Sequence, residues 1–165
     1  MTGERKHGLP AVARADARLL ILGSLPGEAS LREQRYYAHP RNGFWSLLGS
    51  VVGEPLASLD YEQRLERLVE RRVALWDVID SARRSGSLDQ SMREVEPRDL
   101  AAFVATLPDL RAVGFNGAAA ARLGRRALDP GTLRLIDLPS SSPAHTLPLA
   151  TKAERWSVLA SALVD

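Results

Sequence analysis

The segment from Tyr36 to Trp45 contains an unusual concentration of side chains that can stack on, or hydrogen-bond to, a flat heterocycle. It reads YYAHPRNGFW and holds two tyrosines, a histidine, an asparagine, a phenylalanine and a tryptophan, although the whole chain is only 5% aromatic. Aromatic faces provide stacking surfaces, and amide and imidazole groups provide donors and acceptors for a ring edge. This composition predicts an enclosed pocket for a planar ligand.

Short apolar segments alternating with longer amphipathic ones provide the framework that must position this segment. The predicted strands are 18–22, 73–76, 110–115 and 133–137, and the predicted helices are 44–52, 60–72, 98–107, 118–128 and 152–163. Asp60 with Gln63, and Thr151 with Glu154, have the spacing of helix-capping boxes. The alternation predicts an α/β fold: a three-layer α/β/α sandwich with a mainly parallel four-stranded central sheet.

We expect residues 1–165 to form one domain, with irregular structure in two stretches. Residues 1–17 are predicted to be a loosely packed leader, and residues 77–96 a long polar connection. Polar or small residues follow every predicted strand, and ligands of open parallel sheets bind beyond the carboxyl ends of the strands. We therefore expect one concave site at that edge, surrounded by Leu25, Phe44, Asp77 and Ser140.

Composition excludes several classes of site. The 165-residue chain has no cysteine, which rules out disulfides and cysteine-held metal or iron–sulfur centres. Its three histidines are scattered, and no phosphate-binding glycine loop is present, so we expect neither a metal nor a cofactor. The net charge of +2 permits binding to nucleic acid without requiring it. With no apolar run long enough to span a membrane and no signal peptide, we expect a cytoplasmic protein without a membrane partner.

Five sequence blocks together resemble the motifs of the uracil-DNA glycosylase superfamily. The resemblance is closest to the hypoxanthine (deoxyinosine) branch, with the mismatch-specific branch nearby. The blocks, in chain order, are GSLPG at Gly23–Gly27, YYAHPRNGFW at Tyr36–Trp45, LWDVI at Leu75–Ile79, GFNG at Gly114–Gly117 and LPSSSPAH at Leu138–His145. The resemblance implies a DNA-repair enzyme that flips a deaminated base out of DNA and hydrolyses its N-glycosidic bond, leaving an abasic site.

The resemblance also implies roles for individual residues. Phe44 matches the phenylalanine that stacks on the extruded base, and Asp77 lies where relatives place a side chain that reads the base edge. Many relatives have a water-positioning Asp or Asn where this chain has Leu25, and in the hypoxanthine branch the asparagine matched by Asn42 takes the catalytic role. The remaining substrate contacts that it implies are Gly23, Ser24 and Ser140.

The last block resembles the loop that enters the DNA minor groove. Its DNA-contacting residues would be Ser141, Ser142, Pro143, Ala144 and His145. Serine hydroxyls and backbone N–H groups can hold phosphates. In relatives a leucine or arginine of this loop often acts as a wedge that fills the gap left by the extruded base. This chain has Ala144 and His145 there, which predict a smaller wedge. Neither lysine, Lys6 nor Lys152, falls within a block, and strand cleavage through a Schiff base is therefore not expected.

Each assignment has a purely structural alternative. Phe44 could belong only to the core, Asn42 could cap the helix that follows it, Asp77 could be a cap or a solvated carboxylate, and Ser140–His145 could be an ordinary surface loop. We expect the protein to be a monomer that binds damaged DNA. Hypoxanthine is the expected first substrate, with uracil or xanthine next. The functional alternatives are a uracil-preferring enzyme of the same fold, a catalytically silent DNA- or nucleotide-binding domain, and a nucleoside hydrolase.

Overall fold

A computed structural model describes residues 4–129 and 131–165. These residues form seven strands and six helices, with three short 3-10 helices besides. The elements in chain order are β1 (Arg5–His7), β2 (Leu19–Gly23), α1 (Glu28–Glu33), α2 (Phe44–Val52), α3 (Tyr61–Glu70), β3 (Val73–Asp77), β4 (Ile79–Arg83), β5 (Arg93–Pro97), α4 (Leu100–Ala105), β6 (Ala112–Asn116), α5 (Ala118–Ala127), β7 (Arg134–Leu138) and α6 (Leu149–Trp156).

The central sheet has four parallel strands in the order β3–β2–β6–β7. β2 is fully buried, and its residue Leu19 pairs with Val73 on one side and Ala112 on the other. Such a continuous apolar run is typical of a strand covered on both faces. The predicted α/β fold with a four-stranded parallel sheet is confirmed, and the strand ends differ from the prediction by only one or two residues.

Side chains that alternate along the strands divide the interior into two cores. Leu19 and Ile21 pack with α2, α3 and α6 on one face of the sheet, whereas Leu20 and Leu22 pack with α4 and α5 on the other. The three predicted layers are therefore present. Helix α2 has the predicted bounds, and the predicted capping box at the start of α3 forms between Asp60 and Gln63.

Two stretches predicted to be irregular instead form a second, antiparallel sheet. Strand β1 pairs with β4, and β4 pairs with β5. Val12 also pairs with Leu75 of the central sheet, and Leu9 is buried, so the predicted loose leader is wrong for residues 4–17. The strand sequences RKH, IDSAR and REVEP are charged and lack a regular apolar alternation. Pairing between distant segments decides their conformation, because propensity alone does not favour it.

The helix predictions need two corrections near the chain's later loops. Helix α6 begins at Leu149 after Pro148 without a side-chain cap, so the predicted Thr151–Glu154 capping box is wrong. Helix α4 is shorter than predicted and begins after Asp99, whose carboxylate caps it, while Pro97 ends β5. Among the helices of the described residues, none is both long and apolar enough to cross a membrane.

Candidate active site

The carboxyl ends of β2 and β3 bring a glycine and an aspartate together at one edge of the sheet. Gly23 pairs with Asp77 in the parallel register. A Cβ atom at Gly23 would lie 2.6 Å from Asp77 Oδ1 and 2.8 Å from the Tyr37 hydroxyl. These distances are shorter than van der Waals contact, so only glycine allows both side chains to approach the end of β2. The GSLPG and YYAHPRNGFW segments therefore meet at Asp77.

Asp77 is a buried carboxyl group whose charge is not balanced by a direct ion pair among the described residues. The residue is 3% exposed, and its Oδ2 atom is buried without a hydrogen-bond partner in the part of the chain that the structure describes. Burial raises the pKa of Asp77 to about 7, an effect that Arg98 and Arg84 oppose and Asp89 reinforces. The structure thus excludes a solvated Asp77. Near neutral pH a large fraction of this group is uncharged, which reduces its repulsion of an anion.

The raised pKa predicts a pH-dependent stability. A carboxyl group whose pKa rises on folding favours the folded state most below its unfolded value of 3.8, and this contribution is lost as the pH rises to about 7. Asp77→Asn should remove this pH-dependent loss of folding stability. The loss is at most ~4 kcal/mol, because each unit of pKa difference between the folded and unfolded states corresponds to 1.36 kcal/mol. Urea unfolding at pH 5 and pH 8 measures it: wild type should lose more stability than the variant over this interval. Equal losses in the two proteins would contradict the assignment.

Phe44 lies beneath a second aromatic ring. It is fully buried at 0% exposure, and Tyr37 stacks on it with ring centroids 3.8 Å apart and an interplanar angle of 16°. Trp45 and Trp156 contact Phe44 edge-on, at 4.9 Å and 5.8 Å between centroids. Phe44 therefore has no exposed face in this structure, and it is covered by Tyr37, which is half-buried as a residue.

Tyr37 is the site residue that the sequence interpretation left without a role. Its hydroxyl is buried and has no hydrogen-bond partner among the described residues, while its backbone adopts a φ of 53°. Asn116 lies near this hydroxyl and interacts with it electrostatically, and its amide also forms two hydrogen bonds with Ser141. A tyrosine with left-handed backbone conformation is unusual for a bulky residue. The two consecutive tyrosines in the YYAHP segment could have pointed to this position, although the sequence did not distinguish Tyr37 from Tyr36.

Asn42 does cap the start of α2, as the structural alternative proposed. Its Oδ1 atom accepts a hydrogen bond of 3.0 Å from the Phe44 N–H, and its own backbone N–H donates to His39. The Asn42 side chain is half-buried, and within the described residues its Nδ2 group makes no hydrogen bond. The cap fixes the amide at the start of α2 and leaves the Nδ2 donors available. Capping and a catalytic role are therefore compatible.

Ser140–Ser142 is joined to two other motif segments by short hydrogen bonds. Asn116 Nδ2 donates to Ser141 Oγ and Asn116 Oδ1 accepts from the Ser141 N–H, both at 2.9 Å. The Gly43 N–H donates to the Ser141 carbonyl oxygen at 3.0 Å. Ser140 packs close to Gly117, where a Cβ would lie 3.2 Å from the serine Cβ. The structure thus brings the GFNG, YYAHPRNGFW and LPSSSPAH blocks together.

The outer half of this loop is open to solvent. Pro143, Ala144 and His145 are exposed, in contrast to the buried Ser141. The Ser142 Oγ atom accepts a hydrogen bond from the Ala144 N–H at 3.2 Å, and the Ser142 carbonyl oxygen accepts one from the His145 N–H at 3.0 Å. These bonds hold the loop in a compact turn that projects from the domain at the same edge as the site.

A cleft of about 410 Å³ is lined by this loop, by the segment before α2 and by the start of α6. Lys152 lies in it, and its ammonium group donates a hydrogen bond of 3.1 Å to the Ser142 carbonyl oxygen. The sequence placed Lys152 outside every motif block, yet folding brings it against one. The residues that line the cleft are Arg41, Gly43, Ser141, Pro143, His145, Thr146, Leu147, Leu149 and Lys152.

The Leu25 side chain does not contribute to this edge. It is 6% exposed and packs in the core formed with α4 and α5. Buried Arg84 fixes the backbone here: Nη1 donates to the Leu25 carbonyl at 3.3 Å and Nη2 to the Pro26 carbonyl at 2.5 Å. Ser24 Oγ donates to Asp89 at 2.7 Å. The expected single pocket surrounded by Leu25, Phe44, Asp77 and Ser140 is therefore wrong, because Leu25 faces the other core and Tyr37 covers Phe44.

Comparison with known proteins supports the assembled motif arrangement. Residues 10–160 match the family model described as the uracil DNA glycosylase superfamily. The chain is 37% identical over 155 residues to a hypoxanthine DNA glycosylase of Methanosarcina barkeri, covering 93% of this chain and 96% of that protein. It is 36% identical over 154 residues to a hypoxanthine DNA glycosylase of Methanosarcina acetivorans, covering 93% and 97% of the two chains.

A solved structure shares the fold. The solution NMR structure of a candidate uracil DNA glycosylase from Methanosarcina acetivorans superposes with a TM-score of 0.87 at 36% identity, covering 97% of this chain and 99% of that one. The family match spans most of the chain, and the relatives match nearly their full length. The protein belongs to the uracil DNA glycosylase superfamily.

Proposed function

We propose that this protein is a monofunctional DNA glycosylase that extrudes a deaminated base, hypoxanthine in the first place, and hydrolyses its N-glycosidic bond to leave an abasic site. Similarity to two hypoxanthine DNA glycosylases over 93% of the chain supports the reaction. The observation that carries the proposal is the buried Asp77 oxygen without a partner, beside an aromatic pair. A buried acceptor of this kind is suited to an N–H on the edge of a base.

The base would bind with its face on the aromatic pair and its edge on Asp77. Tyr37 would offer its ring to the base, and Phe44 stacks on the other side of that ring with centroids 3.8 Å apart. The N1–H group of hypoxanthine would donate to Asp77. Gly23 leaves room for this approach, since it has no Cβ beside the carboxyl group. The resemblance implied that Phe44 stacks on the base directly. In this proposal Tyr37 contacts the base, and Phe44 supports the Tyr37 ring.

Hydrolysis breaks the bond between the sugar C1′ and the base nitrogen, and the bonding electrons leave with the base. The sugar becomes cationic, water adds to C1′, and the proton that this water loses neutralises the negative charge on the departed base. Asn42 would orient this water or hold the base with its Nδ2 donors, because an amide is too weakly basic to accept the proton. The neutral fraction of Asp77, whose pKa is about 7, would limit repulsion of the departing base. The residues assigned to these steps require no metal.

DNA would be held by the loop at residues 140–145, with Ser140 and Ser142 near the DNA backbone and the exposed Ala144 and His145 toward the gap left by the base. Ser141, which is buried and bonded to Asn116, would position this loop and would not contact DNA itself. The small wedge predicts a limited footprint on DNA. The chain would act as a monomer. Lys152 donates to the Ser142 carbonyl oxygen in the cleft, and we assign it no covalent role.

The direct test is base release from matched oligonucleotides. Duplexes that carry a single hypoxanthine, uracil or xanthine are incubated with the protein, and hot alkali then reveals abasic sites. We expect release of hypoxanthine first, with uracil or xanthine slower, and strand breaks only after alkali. No abasic sites in any duplex would reject the proposed reaction, and faster release of uracil would change the substrate order. Trapping of a covalent complex with borohydride would contradict the monofunctional mechanism.

A further inference from the structure

Lys152 is a buried cation without an acidic partner in the described part of the chain. It is 4% exposed, and the ion pairs formed by residues 4–129 and 131–165 do not include it. Burial alone lowers the pKa of Lys152, with no contribution from a nearby carboxylate. The other lysine, Lys6, contacts Glu4 and Glu28 at 3.9 Å and 3.7 Å. Buried charges normally have a counterion, and residues 4–129 and 131–165 do not supply one for Lys152.

The position of the ammonium group indicates where a counterion would bind. An ammonium group has three donors, and the described contacts of Lys152 use one, to the Ser142 carbonyl oxygen at 3.1 Å. The cleft is also lined by Arg41, which is exposed, and none of its lining residues is acidic. Helix α6 begins at the same cleft with Leu149 and has no side-chain cap. Uncapped N–H groups at a helix start add a favourable field for an anion.

We propose that this cleft binds one phosphate of the DNA backbone, held between Lys152 and Arg41 beside the loop at residues 140–145. The inference rests on the proposed function for its ligand, and it adds two cations to the loop that the sequence analysis assigned to DNA. Because Lys152 also holds the Ser142 carbonyl oxygen, phosphate binding would be coupled to the position of that loop.

The test measures the salt dependence of affinity for a duplex with a stable tetrahydrofuran abasic-site analogue, which the enzyme cannot cleave. Lys152→Met should reduce the slope of log K against log salt by about 0.9, the value for one phosphate contact. Affinity at low salt should fall roughly 10-fold or more. Lys6→Met is the matched control, because it removes the same charge from a lysine in the second sheet, and its slope should equal that of wild type.

A methylphosphonate scan identifies the phosphate itself. Each phosphate near the abasic analogue is replaced in turn by a neutral methylphosphonate. The replacement at one position should weaken DNA binding by the wild-type protein. The same replacement should weaken binding by Lys152→Met only a little further, because that variant already lacks the contact. A folded Lys152→Met protein, verified by urea unfolding, with the wild-type slope would overturn the inference. If that variant does not fold, the absence of any sensitive phosphate in the wild-type scan would overturn it. Base release by wild type tests the proposed function separately, so the two failures are distinguishable.

Discussion

Asn42→Ala should slow release of hypoxanthine by about 10²–10³-fold, the range for removing one well-placed catalytic hydrogen-bonding group. Leu25, at the position where many relatives have a water-positioning side chain, is buried in the opposite core. The Asn42 amide lies at the start of α2, where its oxygen caps the Phe44 N–H and its nitrogen has no partner among the described residues. DNA binding should persist, because the loop at residues 140–145 is unchanged. Single-turnover base release with enzyme in excess measures the chemical step.

Asn42→Asp separates catalysis from helix capping. Aspartate keeps an oxygen that can accept from the Phe44 N–H, but it loses the Nδ2 donors. If the amide donors are required, Asn42→Asp should remain slow while its urea unfolding midpoint stays close to that of wild type. Asn42→Ala should lose about 1 kcal/mol of stability as well, the usual cost of removing a cap. A wild-type single-turnover rate in Asn42→Ala would refute the catalytic assignment, and Asp77 would be the next residue to test.

Phe44→Ala should lower the free energy of unfolding by about 3–5 kcal/mol, the range for truncating a buried phenylalanine. The ring is 0% exposed and is enclosed by Tyr37, Trp45 and Trp156, so its loss leaves a cavity in the core beneath the site. Base capture should fall too, because Tyr37 loses the surface that supports it. Urea unfolding measures the first effect, and the enzyme concentration at half-maximal single-turnover rate measures the second.

Tyr37→Ala is the comparison that distinguishes supporting from contacting the base. It should weaken base capture by roughly 1–3 kcal/mol, the value of one aromatic stacking contact. Its cost in stability should be smaller than that of Phe44→Ala, because Tyr37 is only half-buried and its hydroxyl has no partner. If Phe44→Ala weakens base capture while Tyr37→Ala does not, the base contacts Phe44 directly, and the assignment of Tyr37 as the stacking surface is wrong.

The central sheet, and the edge at which the motif segments meet, could be predicted because local patterns specify both. The short apolar run Leu19–Leu22, bounded by Gly23, indicates a buried strand, and strands that alternate with helices indicate a parallel sheet whose strand carboxyl ends meet at one edge. Asp77 and Asn116 end their strands as expected, and the structure brings Gly23 and Asp77 together. Helix α2 was predictable to the residue because apolar residues fall at helical spacing after a glycine.

Only the tertiary structure decided which side chains occupy the site and how they are charged. Tyr37 stacks on Phe44 and covers it, and the Lys152 ammonium group binds the carbonyl oxygen of Ser142, ten residues earlier in the chain. The raised pKa of Asp77 depends on burial beneath residues distant in sequence. The charged strands β1, β4 and β5 likewise form only through pairing across the chain. Local sequence determines which faces are apolar, but the burial of a particular atom depends on what distant segments place on top of it.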